Sequence, residues 1–121
     1  MLNIENLDMV LTNVLKLPGS IAASIVDWKS GMVLASKNVA DFDIELASAG
    51  NAEVVKAKMA TMKSLKLDGT IKDIMITLSN QIHIIRVLES NPDLFMYLAL
   101  DSDKANLALA RNALASSESD L

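Results

Sequence analysis

The sequence predicts an α/β (α+β) protein built on one antiparallel five-stranded sheet, with a long helix on one face and two terminal helices on the other. Segments with helical and strand periodicity alternate along the 121 residues in the order α-β-β-α-β-β-β-α. Short turns separate the strands within each group, and such turns favour hairpins and meanders, which are antiparallel. Two of the predicted strands are apolar on both sides, so helices should cover both faces of the sheet.

Apolar periodicity and the residues between the apolar runs set the bounds of each element. In chain order, the predicted elements are a helix at 4–16, strands at 20–27 and 32–36, a helix at 41–66, strands at 71–78, 81–88 and 94–100, and a helix at 103–115. In the first helix the apolar residues repeat on a single face, Asn3 can cap the start, and Pro18-Gly19 ends it. A polar turn that contains Gly31 joins the first two strands, as in a β-hairpin.

The helix predicted at 41–66 has two non-polar sides instead of one. The side expected to pack on the sheet carries Ile44, Ala47, Val54, Val55, Met59, Met62 and Leu65. The opposite side carries mainly small residues, namely Leu46, Ala49, Gly50, Ala57 and Ala60. A surface helix needs only one apolar side, so the second predicts close contact with another backbone, such as that of a second copy. The alternative is that alanine is present for its high helix propensity. A C-terminal stop is expected at Asp68-Gly69.

The last three strands differ in how they should be covered. Strand 71–78 has charges only near one end, at Lys72 and Asp73, so as an edge strand it would expose backbone groups that a second copy could pair with. The alternative is that this strand is internal or short. Strand 81–88 is apolar on both sides, and 94–100 is apolar almost throughout, as expected of a central strand.

Length and composition indicate one domain and exclude several classes of protein. Residues 1–115 are expected to form that domain, with Ser102 capping the last helix and a disordered tail at 116–121. No apolar run is long enough to span a bilayer, and the first residues lack the pattern of a signal peptide. The chain has no cysteine, which suits a cytoplasmic protein. A net charge of −4 gives no basic surface for nucleic acid.

The sequence offers no arrangement of residues that indicates an enzyme. Its one histidine, His83, lies in a predicted strand between Ile82 and Ile84 and is expected to be structural. There is no G-x-S-x-G nucleophile motif, and the four glycines are too far apart for a phosphate-binding loop, so no cofactor is expected. Arg86 and Arg111 are the only arginines, and neither is expected in a polar cluster of the kind that clamps a transition state.

One acidic segment resembles the start of a calcium loop. Asp101 and Asp103 have the spacing of its first ligands, but Asn106 and Asn112 stand where glycine and a bidentate glutamate are needed. We therefore expect the two aspartates to serve as cap and first-turn residues of the last helix, with no metal bound.

Charged residues on the long helix indicate how two copies would meet. In an antiparallel twofold pair, residues whose numbers have a constant sum face each other. Two pairs have nearly equal sums, Glu45 with Lys63 and Glu53 with Lys56. They place the axis near Val54, and such ion pairs would fix register more than affinity. The alternative is solvated lysines and an intrahelical Glu53–Lys56 pair. The predicted dimer contact comprises Glu45, Ala49, Gly50, Glu53, Lys56, Ala57, Ala60, Lys63, Ile71, Lys72, Asp73, Ile74, Met75 and Ile76.

Several short segments match one known family. They are LPGSI at 17–21 before a strand, Asp27 followed by Gly31 in the hairpin, an alanine-rich helix after it, and DSDKANLALAR at 101–111. In their order and spacing they resemble the Roadblock/dynein light-chain family over nearly the whole chain. One departure is that three residues separate Asp27 from Gly31 where many relatives have two, so no function of this loop is implied.

The resemblance implies a dimer in which edge strands join two sheets and the long helices lie side by side. It further implies a non-enzymatic regulator or scaffold of Ras-like small GTPases, or a light chain of a motor complex. The implied partners are therefore a second copy or a paralogue, and a small GTPase, although no GTPase-contact residue is implied. A different class, a small-molecule sensor with its ligand between sheet and helix, is the alternative, because some of the seven methionines could line an adaptable pocket.

Overall fold

A computed structural model describes residues 3–121, and its elements follow the predicted order. They are α1 (Ile4–Val14), β1 (Ser20–Asp27), β2 (Met32–Asn38), α2 (Ile44–Ser64), β3 (Asp73–Thr77), β4 (Gln81–Val87), β5 (Leu94–Asp101), α3 (Leu107–Ser117) and a 3₁₀ turn at Glu118–Asp120. The predicted antiparallel five-stranded sheet is confirmed, with the strand order β2-β1-β5-β4-β3. No helix within 3–121 is both long enough and apolar enough to cross a bilayer.

Each face of the sheet carries its own hydrophobic core. α1 and α3 pack on one face, where Leu11, Leu98 and Leu114 are buried. α2 packs on the other face, over Phe95 and Tyr97. The prediction of a long helix on one face and two terminal helices on the other is therefore confirmed. β5 is the central strand, and β4 is buried on both sides, as their apolar patterns predicted.

The predicted β-hairpin is formed by β1 and β2. Gly31 closes its turn with φ +78°, and its N–H donates to the carbonyl of Asp27 at 2.8 Å. The Asp27 carboxylate also accepts from the backbone N–H groups of Lys29 and Ser30, at 3.0 and 3.2 Å. β2 runs two residues beyond the predicted bound, to Asn38, and forms one edge of the sheet.

The buried side of α2 differs in part from the predicted one. Its buried residues are Ile44, Ser48, Asn51, Ala52 and Val55. Two of the large residues predicted to face the sheet, Val54 and Leu65, are instead 38% and 62% exposed. The hydroxyls of Ser24 and Ser48 are both buried and lie 2.7 Å apart. Apolar periodicity alone could not predict that this polar pair would be buried between β1 and α2. Asp43 caps the N-terminus of the helix.

The C-terminus of α2 is set by Lys66 and not by the predicted stop at 68–69. Lys66 adopts φ +55°, and its N–H donates to the carbonyl of Lys63 at 3.1 Å. The N–H of Leu67 donates to the carbonyl of Met62 at 3.0 Å. These two bonds form a Schellman motif in which lysine occupies the left-handed position that usually holds glycine.

Replacing this lysine by glycine should stabilise the protein. Because glycine adopts positive φ without a steric cost, Lys66→Gly is expected to raise the free energy of unfolding by about 0.5–1 kcal/mol. Urea unfolding of the two chains measures the difference. Lys58→Gly, within the same helix, is the control and should lower stability by about 1 kcal/mol. A loss of stability in Lys66→Gly would contradict the assigned ending.

α3 begins at Leu107, four residues later than predicted, because Asn106 and not Ser102 caps it. The Asn106 carboxamide oxygen accepts from the backbone N–H of Leu109 at 3.0 Å. Residues 101–104 form a turn before the helix. The predicted helix therefore began too early, because it included a turn whose residues are also typical of the start of a helix.

Residues 116–121, expected to be a disordered tail, differ from that expectation. α3 continues to Ser117, and Glu118 then bonds to the turn between β4 and β5. Its carboxylate accepts from the backbone N–H of Ser90 at 2.8 Å and pairs with Arg86 at 3.2 Å. These contacts attach the end of α3 to the sheet.

Candidate functional site

β3 lies at the second edge of the sheet, as expected of a strand that could pair with another copy. It pairs only with β4, from Asp73 opposite Arg86 to Thr77 opposite Ile82. It is shorter than the predicted strand at 71–78. Along its outer side no other strand within residues 3–121 pairs with it, so this edge presents backbone groups to a partner.

Three of the predicted contact residues point from the β3 segment to the face that carries α2. Ile71, Ile74 and Ile76 are half-buried at the margin of the core beneath α2. Because α2 lies over β1 and β2, this margin near β3 is only partly covered. The three isoleucines therefore extend the apolar surface up to the strand edge.

The other predicted residues of this segment face α3 or line a polar cavity. Met75 packs against the core beneath α1 and α3. Asp73 accepts from Nε of Arg111 at 2.7 Å, and a polar cavity of about 320 Å³ is lined by Lys72, Arg86 and Arg111 among others. The two arginines thus line one polar cavity that the sequence did not predict, because their partners are distant in sequence and only the fold brings them together.

The predicted contact residues of α2 also lie on different sides of the helix. Glu45 lies above β2, where its carboxylate accepts from the hydroxyl of Ser36 at 3.1 Å. Lys63 shares that side, because eighteen residues make about five helical turns. Glu53 and Lys56 form an intrahelical ion pair at 3.4 Å, which is the alternative weighed from the sequence. None of these charges lies on the side of α2 that faces β3.

That side of α2 carries a stripe of small or apolar residues, which are exposed except for the half-buried Ala47. It consists of Ala47, Gly50, Val54, Ala57 and Thr61, separated alternately by three and four residues, and is called here the Val54 stripe. Glu45 lies toward β2, Ser48 toward β1 and Asn51 toward β5, so the next side of the helix faces β4 and β3. Ala49 and Ala60 are exposed and point away from the sheet. Gly50 and Ala57 belong to the contact predicted from the sequence, whereas Ala47, Val54 and Thr61 do not.

The only histidine belongs to a polar cluster beside this margin. His83 Nε2 lies 2.8 Å from the Gln81 carboxamide oxygen, and its Nδ1 lies 3.2 Å from the Tyr97 hydroxyl. The rings of His83 and Phe42 are nearly perpendicular, with their centroids 6.1 Å apart. Burial lowers the pKa of His83, and burial raises the pKa of Tyr97 to about 12 although a hydrogen bond from Asn51 opposes this. Both groups are therefore neutral at pH 7, in keeping with the structural role predicted for His83.

The low pKa of His83 predicts that acid destabilises the fold. The unfolded histidine, with the ordinary pKa of about 6.5, takes up a proton at higher pH than the folded one, so stability should fall as pH drops from 7.5 to 5. His83→Gln should lose less stability over this range, because it removes that titration. Urea unfolding at both pH values gives the comparison, and equal losses in the two chains would contradict it.

The Asp101 carboxylate accepts a backbone hydrogen bond in the turn before α3. Asp101 accepts from the N–H of Asp103 at 2.9 Å, while Asn106 caps the helix. Within 3–121, no three histidine, cysteine or carboxylate side chains come together in a group that could hold a metal ion.

Comparisons with known proteins find no match among protein-family models or curated sequences, but find clear matches among solved structures. A Roadblock/LC7 domain from Streptomyces avermitilis superposes with a TM-score of 0.80 at 10% identity, over 93% of this chain and 92% of that one. MglB from Myxococcus xanthus gives 0.83 at 14% identity, over 99% and 89%. MglB in a tetrameric arrangement gives 0.73 at 20% identity, over 98% and 92%. The chain therefore has the Roadblock/LC7 fold, and the resemblance seen in the sequence is confirmed at the level of fold.

Proposed function

We propose that this protein is a non-enzymatic interaction module that works as a dimer and regulates or scaffolds a Ras-like small GTPase in the cytoplasm. The observation that carries the proposal is the likeness to MglB and Roadblock/LC7 structures over nearly the whole chain. The partner class comes from the family resemblance. The side chains that could have served catalysis or metal binding, His83, Asp101 and Arg86, are instead engaged in bonds within the fold.

In the proposed dimer, the β3 edges of two copies pair and their Val54 stripes meet. An open strand edge and an exposed apolar stripe lie on the same side of the molecule, and one twofold contact would cover both. The three isoleucines at 71, 74 and 76 would be covered by the same contact. Pairing of the β3 edges alone would not account for the exposed Val54 stripe, and contact between the stripes alone would not account for the open strand edge.

The spacing of the stripe agrees with a twofold axis near Val54. Ala47 and Thr61 each lie seven residues from Val54, so in an antiparallel pair Ala47 would face the partner's Thr61. Gly50 and Ala57 lie on either side of the axis and lack large side chains. They would allow the two helices to approach toward the short end of the usual 8–10 Å range of interaxial distance.

The ion pairs predicted from the sequence provide a separate test of which side of α2 makes the dimer contact. Glu45 and Lys63 lie on the flank above β2, so a contact through the Val54 stripe cannot use them as well. A Lys56→Glu/Lys63→Glu chain is expected to dimerise as the wild type does in sedimentation at low salt. Weakened dimerisation would instead support the ion-paired register and overturn the proposed side.

The proposed mechanism is preferential binding of one nucleotide state of the GTPase, which shifts the population or the location of that state. Tagged protein is incubated with lysate of the source organism in the presence of GDP or of a non-hydrolysable GTP analogue. We expect recovery of a Ras-like GTPase, with affinities for the two states that differ at least fivefold. GTP hydrolysis by the purified GTPase is then measured with and without the protein. Failure to recover any GTPase, or recovery of only a metabolite, would overturn the partner assignment.

A further inference from the structure

A cavity lies where β3 separates from β4, beside the C-terminal part of α2. Pairing between the two strands ends at Asp73 opposite Arg86, although β4 continues to Val87. The preceding segment, residues 68–72, makes no hydrogen bond to the rest of the described chain. The gap between this segment and the end of β4 has a volume of about 400 Å³, within the range of small-molecule sites.

The walls of the cavity are mostly apolar and come from separate elements. Met59 and Met62 of α2 form one wall, and Val87 of β4 lies opposite. The chain's only tryptophan, Trp28, also lines it. Its indole N–H donates to the carbonyl of Pro92 at 2.8 Å, which fixes the ring. Flexible methionine side chains facing a fixed aromatic ring suit an apolar ligand body.

The rim of the cavity carries excess negative charge. Lys29 is paired with Asp93 at 2.9 Å, so these two charges compensate each other. Glu89 also lines the cavity, and its nearest cation is Arg86 at 3.9 Å. Arg86 is held more closely by Glu118, at 3.2 Å. Because Arg86 is shared with Glu118, the charge of the Glu89 carboxylate is only partly compensated, so it would attract a cationic group and repel an anionic one.

We propose that this cavity binds a small organic molecule with an apolar body and a cationic head group. The body would lie between Met59, Met62 and Trp28, and the head would lie at Glu89. Met59 and Met62 lie on the sheet side of α2 and the Val54 stripe lies on the adjacent side, so the body of the ligand contacts a different side of the helix from the proposed dimer contact, and Ile71 borders both. Such a site goes beyond the proposed interaction with a GTPase and would make the domain responsive to a metabolite.

Trp28 provides the readout, because no other tryptophan contributes to the fluorescence. The probes are octylammonium, octanol and octanoate, which share one apolar tail and differ in head-group charge. We expect a saturable change in Trp28 emission and binding of octylammonium at least fivefold tighter than octanoate. Tighter binding of octanoate would overturn the ligand class, and no saturable change with any probe would overturn the site.

Three variants locate the binding. Met62→Ala should weaken all three probes at least fivefold, because it removes part of the apolar wall. Glu89→Gln should weaken octylammonium about fivefold and leave octanol unchanged. Met9→Ala, at an exposed methionine of α1, is the matched control and should bind as the wild type does. Unchanged binding in Met62→Ala would place the probes elsewhere. Loss of the Trp28 response to every probe at protein concentrations where the chain is dimeric would assign the cavity to a second copy, and either result would overturn the proposal.

Discussion

A Val54→Glu chain is expected to be monomeric at concentrations where the wild-type protein is a dimer. Near a twofold axis, the substitution places two carboxylates opposite each other and removes them from water, so it combines repulsion with a desolvation cost. We expect a loss of at least about 2.8 kcal/mol of association free energy, which is at least about 100-fold in the dimer dissociation constant. Sedimentation equilibrium over a range of concentrations measures it.

The exposure of Val54 and a control variant distinguish a lost dimer contact from a lost fold. Val54 is 38% exposed in the single chain, so the substitution should change the free energy of unfolding of the monomer by no more than about 0.5 kcal/mol. Ala60→Glu is the matched control, because Ala60 is exposed on the side of α2 that points away from the sheet. It should leave the dimer intact. The reverse pattern, with Ala60→Glu monomeric and Val54→Glu dimeric, would assign the contact to the outer side of α2.

A Glu118→Gln chain is expected to lose about 2 kcal/mol of stability at pH 7. The Glu118 side chain is 11% exposed and accepts from the backbone N–H groups of Glu89 and Ser90. It also pairs with Arg86, whose side chain is 15% exposed. The neutral carboxamide would replace charge-assisted bonds with weaker ones and leave the arginine poorly compensated. Urea unfolding measures the loss.

The pH dependence of the same variant gives a second readout. Burial raises the pKa of Glu118, but the hydrogen bonds from Ser90 and Glu89 and the charge of Arg86 outweigh burial and lower it. The bound carboxylate therefore stabilises the fold above the ordinary pKa of about 4.5, and this contribution is lost as pH falls through the lower, folded value. Wild type and Glu118→Gln should converge in stability on acidification.

Glu89→Gln is the control for both measurements. Glu89 is 74% exposed and lies 3.9 Å from the same arginine, so its removal should cost no more than about 0.5 kcal/mol. A similar loss in both variants would mean that Glu118 contributes no more than a surface charge.

The sheet and its two helical layers could be predicted because they depend on periodicity, which a sequence displays directly. β5 and β4 are covered on both sides, and their patterns are apolar on both sides. Ser48 and Asn51 were missed on the buried side of α2, because their burial depends on partners in β1 and β5 that no local pattern reveals. Lys66 was missed because lysine gives no signal for positive φ.

The edge position of β3 could be predicted from the sequence, whereas the side of α2 that lies toward this edge could not. β3 was expected at an edge, and it lies there. Charges on α2 indicated a contact through Glu45 and Lys63, yet the tilt of a helix over a sheet decides which flank faces the free edge. Contacts such as that between Ser24 and Ser48 hold α2 over β1 and β2, and they are tertiary features that no local pattern reveals.

Cross-linking through Val54→Cys tests the proposed dimer most directly, since the wild-type chain has no cysteine. Only residues near a twofold axis approach their own counterparts closely enough for a disulfide, which requires Cα atoms about 4.4–6.8 Å apart. On mild oxidation, Val54→Cys is expected to form a covalent dimer rapidly, and Ala60→Cys to remain largely monomeric. Rapid cross-linking of Ala60→Cys with little of Val54→Cys would contradict a twofold contact through the Val54 stripe.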